Sequence, residues 1–381
     1  MKSLLSIIAG LIAFALTAGC ASDAETDHLF DRFALQDTLH LVEVVEIGDE
    51  EGTDLAMPVA PQLGSDGNIY VADAGYRDIR VFSPDGELLH TIGGFGEGPG
   101  EFRSADILAL GAQDSLFVYD RTLRRLSAFA PLPDPTFEYS AEVKSSALRS
   151  PTELFAARSG ALFAAYTRGV NQEGMEEGVW IAEINHNGEI ISDSLAHLRN
   201  MEVIRASSGE GHMQAVGKPF ARYPVLRPGP AGYPCYGWTG HLQIQCLRED
   251  GSAKTLIESP VPSRSVTAED RQEALRRVED APNAATMIQE EGWHDAHRTY
   301  ELFTIESPER IWIQGLFHPD AAGDAFGSLW HVIDTSEEAI YPVHLANPDD
   351  LIFAVQDARA FAYRIIPETD EARIVIYEIE T

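Results

Sequence analysis

The sequence predicts an all-β fold, a six-bladed β-propeller closed by its own chain ends, and three observations carry that prediction. Residues 64–93 read as strand, turn, strand, turn, strand. Ile69 and Val71 alternate with Tyr70 and Ala72, and Ile79 and Val81 alternate with Arg80 and Phe82. Asp66-Gly67 and Asp85-Gly86 are hairpin pairs, because aspartate and glycine tolerate the positive φ of tight turns. Such units recur about every 41 to 47 residues where nothing is inserted, and one unit alone cannot bury both faces. Finally, a β-branched strand at 38–48 has no hairpin partner beside it, while a strictly alternating strand, 372–379, ends the chain. Pairing the two closes the ring and removes its open edges.

The blades follow in order. Blade one spans about 57–92 and leads into a glycine-rich connection, 93–102. This connection lacks the following helix and the Lys-Ser/Thr pair of a phosphate cradle. Blade two reads as strands at 115–120, 124–129 and 136–143. Blade three reads as 161–166, 179–184 and 189–195, with a long acidic loop at 167–178. An irregular connection, 200–218, precedes blade four at 233–238, 242–247 and 253–257. The period then changes. Thr267 caps an apolar spacing suited to a helix over 266–278, and a second helix is expected at 284–291, so a helical insertion of about 263–297 separates blades four and five. Blade five reads as 310–315, 328–333 and 339–345. Blade six reads as 351–357, a loop, and the C-terminal strand.

The chain carries 60 acidic and 28 basic residues, a formal net charge of -32. Without clustered Lys and Arg it has no means of neutralising nucleic-acid phosphates. Residues 1–20 read as a targeting segment: Lys2, then an apolar run from Leu4 to Leu16 that ends in small residues. Leu16-Thr17-Ala18-Gly19-Cys20 resembles the lipobox of bacterial lipoproteins, which implies a lipidated Cys20, a flexible tether over 21–36 and a propeller over 37–381. Ala21 after the cysteine points to the outer membrane or periplasmic face of the bacterial cell envelope. Cys235 and Cys246 fall on strand-like segments that fold back on one another, and an oxidising compartment permits a disulfide between them.

Residues 67–73, 79–86 and 96–102 resemble the NHL-repeat family of six-bladed propellers. The whole layout, with Tyr119-Asp120-Arg121 and Arg124-Arg125-Leu126 in blade two, is similar to a group of predicted bacterial lipoproteins with such propellers. The resemblance implies a fold and a binding role, and no reaction.

Candidate site residues are few. Asp73 and Asp120 hold equivalent places after the second strand, where a short carboxylate accepts backbone amides from the turn or contacts a ligand. Arg77 and Arg125 lie beside them, structural if paired and able to read a carboxylate if not. His294 and His297 are the best metal-like pair, spaced i, i+3, with Glu290 or Glu291 as an added oxygen. Asp320 to Asp324 faintly resembles a calcium loop but lacks its closing ligands. Trp180, Trp312 and Trp330 read as blade packing rather than a sugar platform. No nucleophile elbow, Walker A or His-Glu-x-x-His occurs.

Two functions stay open at this point. The first is a membrane-anchored, extracytoplasmic binding or scaffold propeller, monomeric and without a cofactor. The second is a hydrolase or lyase that uses a divalent metal in the central channel. A purely structural envelope component is the bland third.

Overall fold

The computed structural model describes residues 28–48, 54–143, 151–168, 178–207, 213–279, 282–291, 293–316, 329–367, 369 and 371–380. Among them are six four-stranded antiparallel blades. Blade one is Pro58–Leu63, Ile69–Asp73, Asp78–Phe82 and Leu88–Gly93; blade two is Ile107–Leu110, Leu116–Asp120, Arg125–Phe129 and Phe137–Glu142. Blade three is Pro151–Ala156, Leu162–Arg168, Gly178–Ile184 and Ile190–Arg199. Blade four is Pro224–Pro228, Pro234–Trp238, Leu242–Leu247 and Ala253–Ser259. Blade five is Leu302–Ile305, Arg310–Gln314, Trp330–Asp334 and Ala339–Leu345.

Blade six takes Leu351–Gln356, Arg359–Ile366 and Glu371–Glu380 from the C-terminus and Leu39–Ile47 from the N-terminus. Val45 pairs with Ile376 and Ile47 with Ile374, the expected closure. The N-terminal strand does more than expected. Its first residues also pair in parallel with the outer strand of blade five, Leu39 against Val343, so blades five and six share one sheet.

The first strand of each blade lies innermost, so the turns after it open on one face of the ring. The second-to-third turns, the connections between blades and the helical insertion lie on the other face. Each blade buries apolar side chains from alternate strand positions against its neighbours, and Trp312 and Trp330 are fully buried between blades. Each such large side chain contributes roughly 1.5–3 kcal/mol by burial.

Three expectations need correction. The tether was expected to run to residue 36, yet α1 (Leu29–Arg32) docks on the ring: Leu29 is buried among Val225, Tyr300 and Phe303, and its amide donates to the Pro260 carbonyl at 2.8 Å. The connection at 200–218 contains a hairpin, Val203–Ser207 with Met213–Gly217. The expected loop in blade six is the strand Arg359–Ile366. It is reached through Asp357 and Ala358, at φ 52° and 59°, a mirror-image turn that usually announces itself with glycine.

The insertion holds α2 (Ala268–Arg276) and α3 (Pro282–Glu291). Thr267 caps α2 by accepting from the Asp270 amide. Ile288 and Met287 of α3 pack on Ile204 of the hairpin, so hairpin and helices form one small lobe beside blades three and four.

Ring closure is locked by side chains as well as backbone. The Arg364 guanidinium donates to Asp350 (2.8 and 2.9 Å), to Glu46 (2.8 Å), to Glu43 (2.7 Å) and to the Tyr377 hydroxyl (2.8 Å), while Tyr377 in turn donates to Asp350. The carboxylates hold the guanidinium pKa above its usual range, and the Asp350 side chain is fully buried. Removing the cation leaves that carboxylate uncompensated. Arg364→Met is therefore expected to cost about 3–5 kcal/mol, read as a lower urea midpoint at unchanged slope. An unchanged midpoint would show that the network does not hold the closure.

Candidate functional site

The inner strands enclose a central channel. It is a cavity of about 860 Å³ to which the first strands of all six blades contribute, and its mouth lies where those strands end. Cross-blade bonds fix the walls. Asp114 of blade two accepts the Ser65 amide and hydroxyl of blade one at 3.0 and 2.7 Å, and the Gln356 amide of blade six donates to the Ser65 carbonyl at 3.3 Å. The Tyr363 hydroxyl donates to the Pro58 carbonyl at 2.9 Å, and the Thr304 hydroxyl donates to the Phe353 carbonyl at 3.0 Å.

The first strands of blades three and four approach each other less closely than the other neighbouring pairs. Glu153 and Arg227 face one another across that seam. Glu153 is open to the channel, yet protein surrounds it in nearly every direction. This enclosure pushes its carboxyl pKa up, against the pull of Arg227 and Arg121. The same enclosure lowers the Arg227 guanidinium, against Glu153 and Tyr223, but a guanidinium keeps its charge at any physiological pH. Sequence reading missed both residues. The available signal was a charged side chain inside a short inner strand, Glu153 after Pro151 and Arg227 before Pro228.

None of Asp73, Arg77, Asp120 and Arg125 lines the channel. Asp73 is fully buried and accepts four backbone amides: Gly75 (2.9 Å) and Tyr76 (3.1 Å) in its own turn, and Ala56 (2.8 Å) and Met57 (3.1 Å) at the start of the blade. Asp120 repeats the clamp on Leu123 (2.8 Å), Arg103 (2.6 Å) and Ser104 (3.1 Å). Arg77 rests on the ring of Phe95, 4.5 Å from its centroid, with Arg103 on the same ring at 4.7 Å. Arg125 donates to the carbonyls of Glu97 (3.1 Å), Gly98 (3.1 Å) and Glu101 (2.5 Å), holding the glycine-rich connection in place. The ligand role considered for these residues gives way to a structural one, since backbone groups and a ring occupy them.

The Cys235 and Cys246 sulfurs are bonded across a directly opposed strand pair in blade four. Cys20 and residues 320–324 lie outside the described residues.

His294 and His297 do not form a shared site. They lie beyond α3 rather than on a helix, in a segment pinned to 264–266 by backbone bonds, and they turn to different acids. His294 Nε2 is 2.7 Å from Glu202, with Arg222 beside the ring, while His297 Nε2 is 3.1 Å from Asp270. Glu290 is exposed on α3. Among the described residues no group of three His, Cys, Asp or Glu side chains is arranged to hold a metal.

The geometry is similar to that of known propellers. A family model, DUF5128, described as a 6-bladed beta-propeller, matches residues 63–218. No curated protein matches the chain in sequence. Among solved structures, a Bacteroides fragilis protein described as exported superposes with a TM-score of 0.51 at 10% identity, covering 91% of this chain and 99% of that one. A Bacteroides vulgatus member of the DUF4221 family gives 0.45 at 10% identity over 91% and 99% of the two chains. Virginiamycin B lyase of Staphylococcus aureus gives 0.43 at 9% identity over 88% and 99%. The six blades and the matching family model make the chain a six-bladed β-propeller, and the likeness to the Bacteroides fragilis structure at 10% identity carries the fold and nothing more. Among the described residues no helix is long and apolar enough to cross a membrane.

Arg125→Ala is expected to destabilise the protein by about 1 kcal/mol through the loss of three hydrogen bonds to largely solvent-accessible carbonyls, and to raise amide exchange over 94–102 while leaving blade four unchanged. Equal exchange in both proteins would show that the connection holds itself.

The insertion should respond to acid in two steps. Burial lowers the pKa of His294 and His297 below the ordinary 6.5, so the folded state resists their protonation and docking weakens as pH falls below that value. Although partial burial opposes it, hydrogen bonds from Thr267 and His297 hold the Asp270 carboxyl down to about 2. Its contribution is full above the ordinary carboxylate value of 3.8 and is lost as pH falls toward about 2. Proteolysis of the 264–297 segment should follow both steps. His294→Gln with His297→Gln should erase the first while the second, still held by the Thr267 bonds, persists but moves toward the ordinary carboxylate value. A single step unaffected by the double variant would rule out the histidines.

Proposed function

We propose that the chain is an extracytoplasmic binding propeller, tethered to the envelope through Cys20, that takes a small polar ligand into its central channel. One observation carries the reading: a single cavity receives side chains from all six blades, the arrangement by which a propeller converges groups on a ligand. The lipobox-like segment and the exported character of the Bacteroides fragilis protein support the compartment. The metal-dependent hydrolase or lyase reading has no donor set to rest on among the described residues.

The test is a thermal-shift panel of small polar metabolites against the wild type and Thr152→Trp. Thr152 is exposed on the channel wall beside Glu153, so an indole there narrows the channel at the seam between blades three and four and gives up only the hydroxyl's 3.3 Å bond to the Ala165 carbonyl. A ligand at a hundred times its Kd stabilises by about 2.7 kcal/mol, a shift of several degrees. At least one compound class is expected to shift the wild type and not the variant, and to do so after dialysis against a chelator. A panel that never separates the two proteins overturns the channel reading, and a shift abolished by the chelator favours the metal-dependent one.

A further inference from the structure

The charged groups around the channel are not equally occupied. Asp106 lies 3.3 Å from the Arg121 guanidinium and accepts the Ser104 hydroxyl at 2.8 Å. Asp114 takes the Ser65 amide and hydroxyl. Glu306 accepts from Arg310 at 3.2 Å and from the Trp312 indole at 2.8 Å. Arg227 is the contrast. One Nη1–H donates to the neighbouring Leu226 carbonyl at 2.8 Å, its Nε is buried with no partner, and among the described residues no carboxylate reaches it at ion-pair distance. Across the seam, the Glu153 side chain likewise has no protein hydrogen-bond partner among the described residues.

An enclosed guanidinium with most of its donors idle is costly unless something completes it. A planar fork is best completed by a planar oxyanion, bound through paired N–H···O bonds. Arg227 is the enclosed guanidinium with an acid opposite, whereas the channel's other arginine, Arg158, is exposed in the turn beyond the inner strand of blade three. One enclosed cation beside an acid favours a monoanion over a phosphate dianion, whose sites gather several cations. The acid opposite, in turn, needs a donor close to the anionic group.

We infer that Arg227 is a ligand-binding residue of the channel and that it selects small hydroxylated carboxylates, the carboxylate on its guanidinium and a nearby hydroxyl toward Glu153. The inference rests on the channel-binding reading above and narrows it to a chemical class.

Glucuronate and glucuronamide test it, because they differ only in whether the carboxyl carbon bears charge. Titration calorimetry on the full chain should give glucuronate roughly ten-fold or more tighter binding. Arg227→Gln should bring the two probes within about two-fold, and Thr152→Trp should exclude both. Far-UV circular dichroism checks the fold of Arg227→Gln. If that variant does not fold, Arg227→Lys keeps the charge, removes the fork, and should still narrow the preference. Equal binding of both probes to the wild type, blocked by Thr152→Trp, overturns the Arg227 assignment while the channel reading stands. Binding of neither probe overturns the carboxylate class and leaves the metabolite panel to decide the channel. Inorganic phosphate that binds as tightly as glucuronate also overturns the class.

Discussion

The ring stands on one buried cation. A β-ladder alone tolerates slippage by two residues, because such a shift keeps every side chain on its own face. The strand Leu39–Ile47 faces this freedom on both sides, pairing with Glu371–Glu380 and with Ala339–Leu345. Arg364 removes it. The guanidinium can meet Glu43, Glu46, Asp350 and Tyr377 together only in one register. Three carboxylates around one cation exceed its charge, and the excess is shared out: Tyr377 donates to Asp350, and Arg373 lies 3.8 Å from Glu46. The closure is therefore specified by polar geometry where hydrophobic burial would leave it ambiguous.

The same division of labour runs through the blades. Apolar alternation places the strands, and in blades one, two and four a short polar side chain at the end of the second strand ties the turn to the start of the blade. Asp73 reaches the Met57 amide just before Pro58, and Asp120 reaches the Ser104 amide just before Ile107. In blade four the task passes to Thr239, fully buried, whose hydroxyl accepts the Tyr223 amide at 2.9 Å just before Pro224. A hydroxyl offers the amide the same acceptor without a charge. The aspartate signature fades along the chain, but the physical task persists in other residues.

This explains what could be read from the sequence. Blades one and two were legible because Asp-Gly turns and Asp clamps repeat there. The innermost strands of blades two to five were not. They are four to six residues long, and Pro151, Pro224 and Pro228 interrupt the β pattern. Proline is tolerated there because the inner strand is the edge of its blade, with one ladder instead of two. Arg359–Ile366 was hidden by a hairpin turn made without glycine. The candidate site suffered most, since Glu153 and Arg227 are 74 positions apart in sequence and meet only when blades three and four become neighbours. The aspartates that looked like a site instead serve the framework, because a recurring motif in a repeat protein reports what every blade needs.

Charge composition sharpens the reading of the channel. With 60 acids for 28 cations, the chain has more than two carboxylates for each Lys or Arg, so an unpaired arginine cannot reflect a shortage of partners. Elsewhere the acids are placed against cations, as around Arg364, or against backbone amides, as at Asp73 and Asp120. At a net charge of -32 the outer field opposes an approaching anion, and salt screens that opposition over about 10 Å. Inside the channel the balance reverses over short range, because Arg227 is enclosed and the nearest free acid, Glu153, has its carboxyl pushed toward the neutral form. On the proposed reading, attraction begins only once a ligand is within the walls, which favours small molecules over extended polyanions.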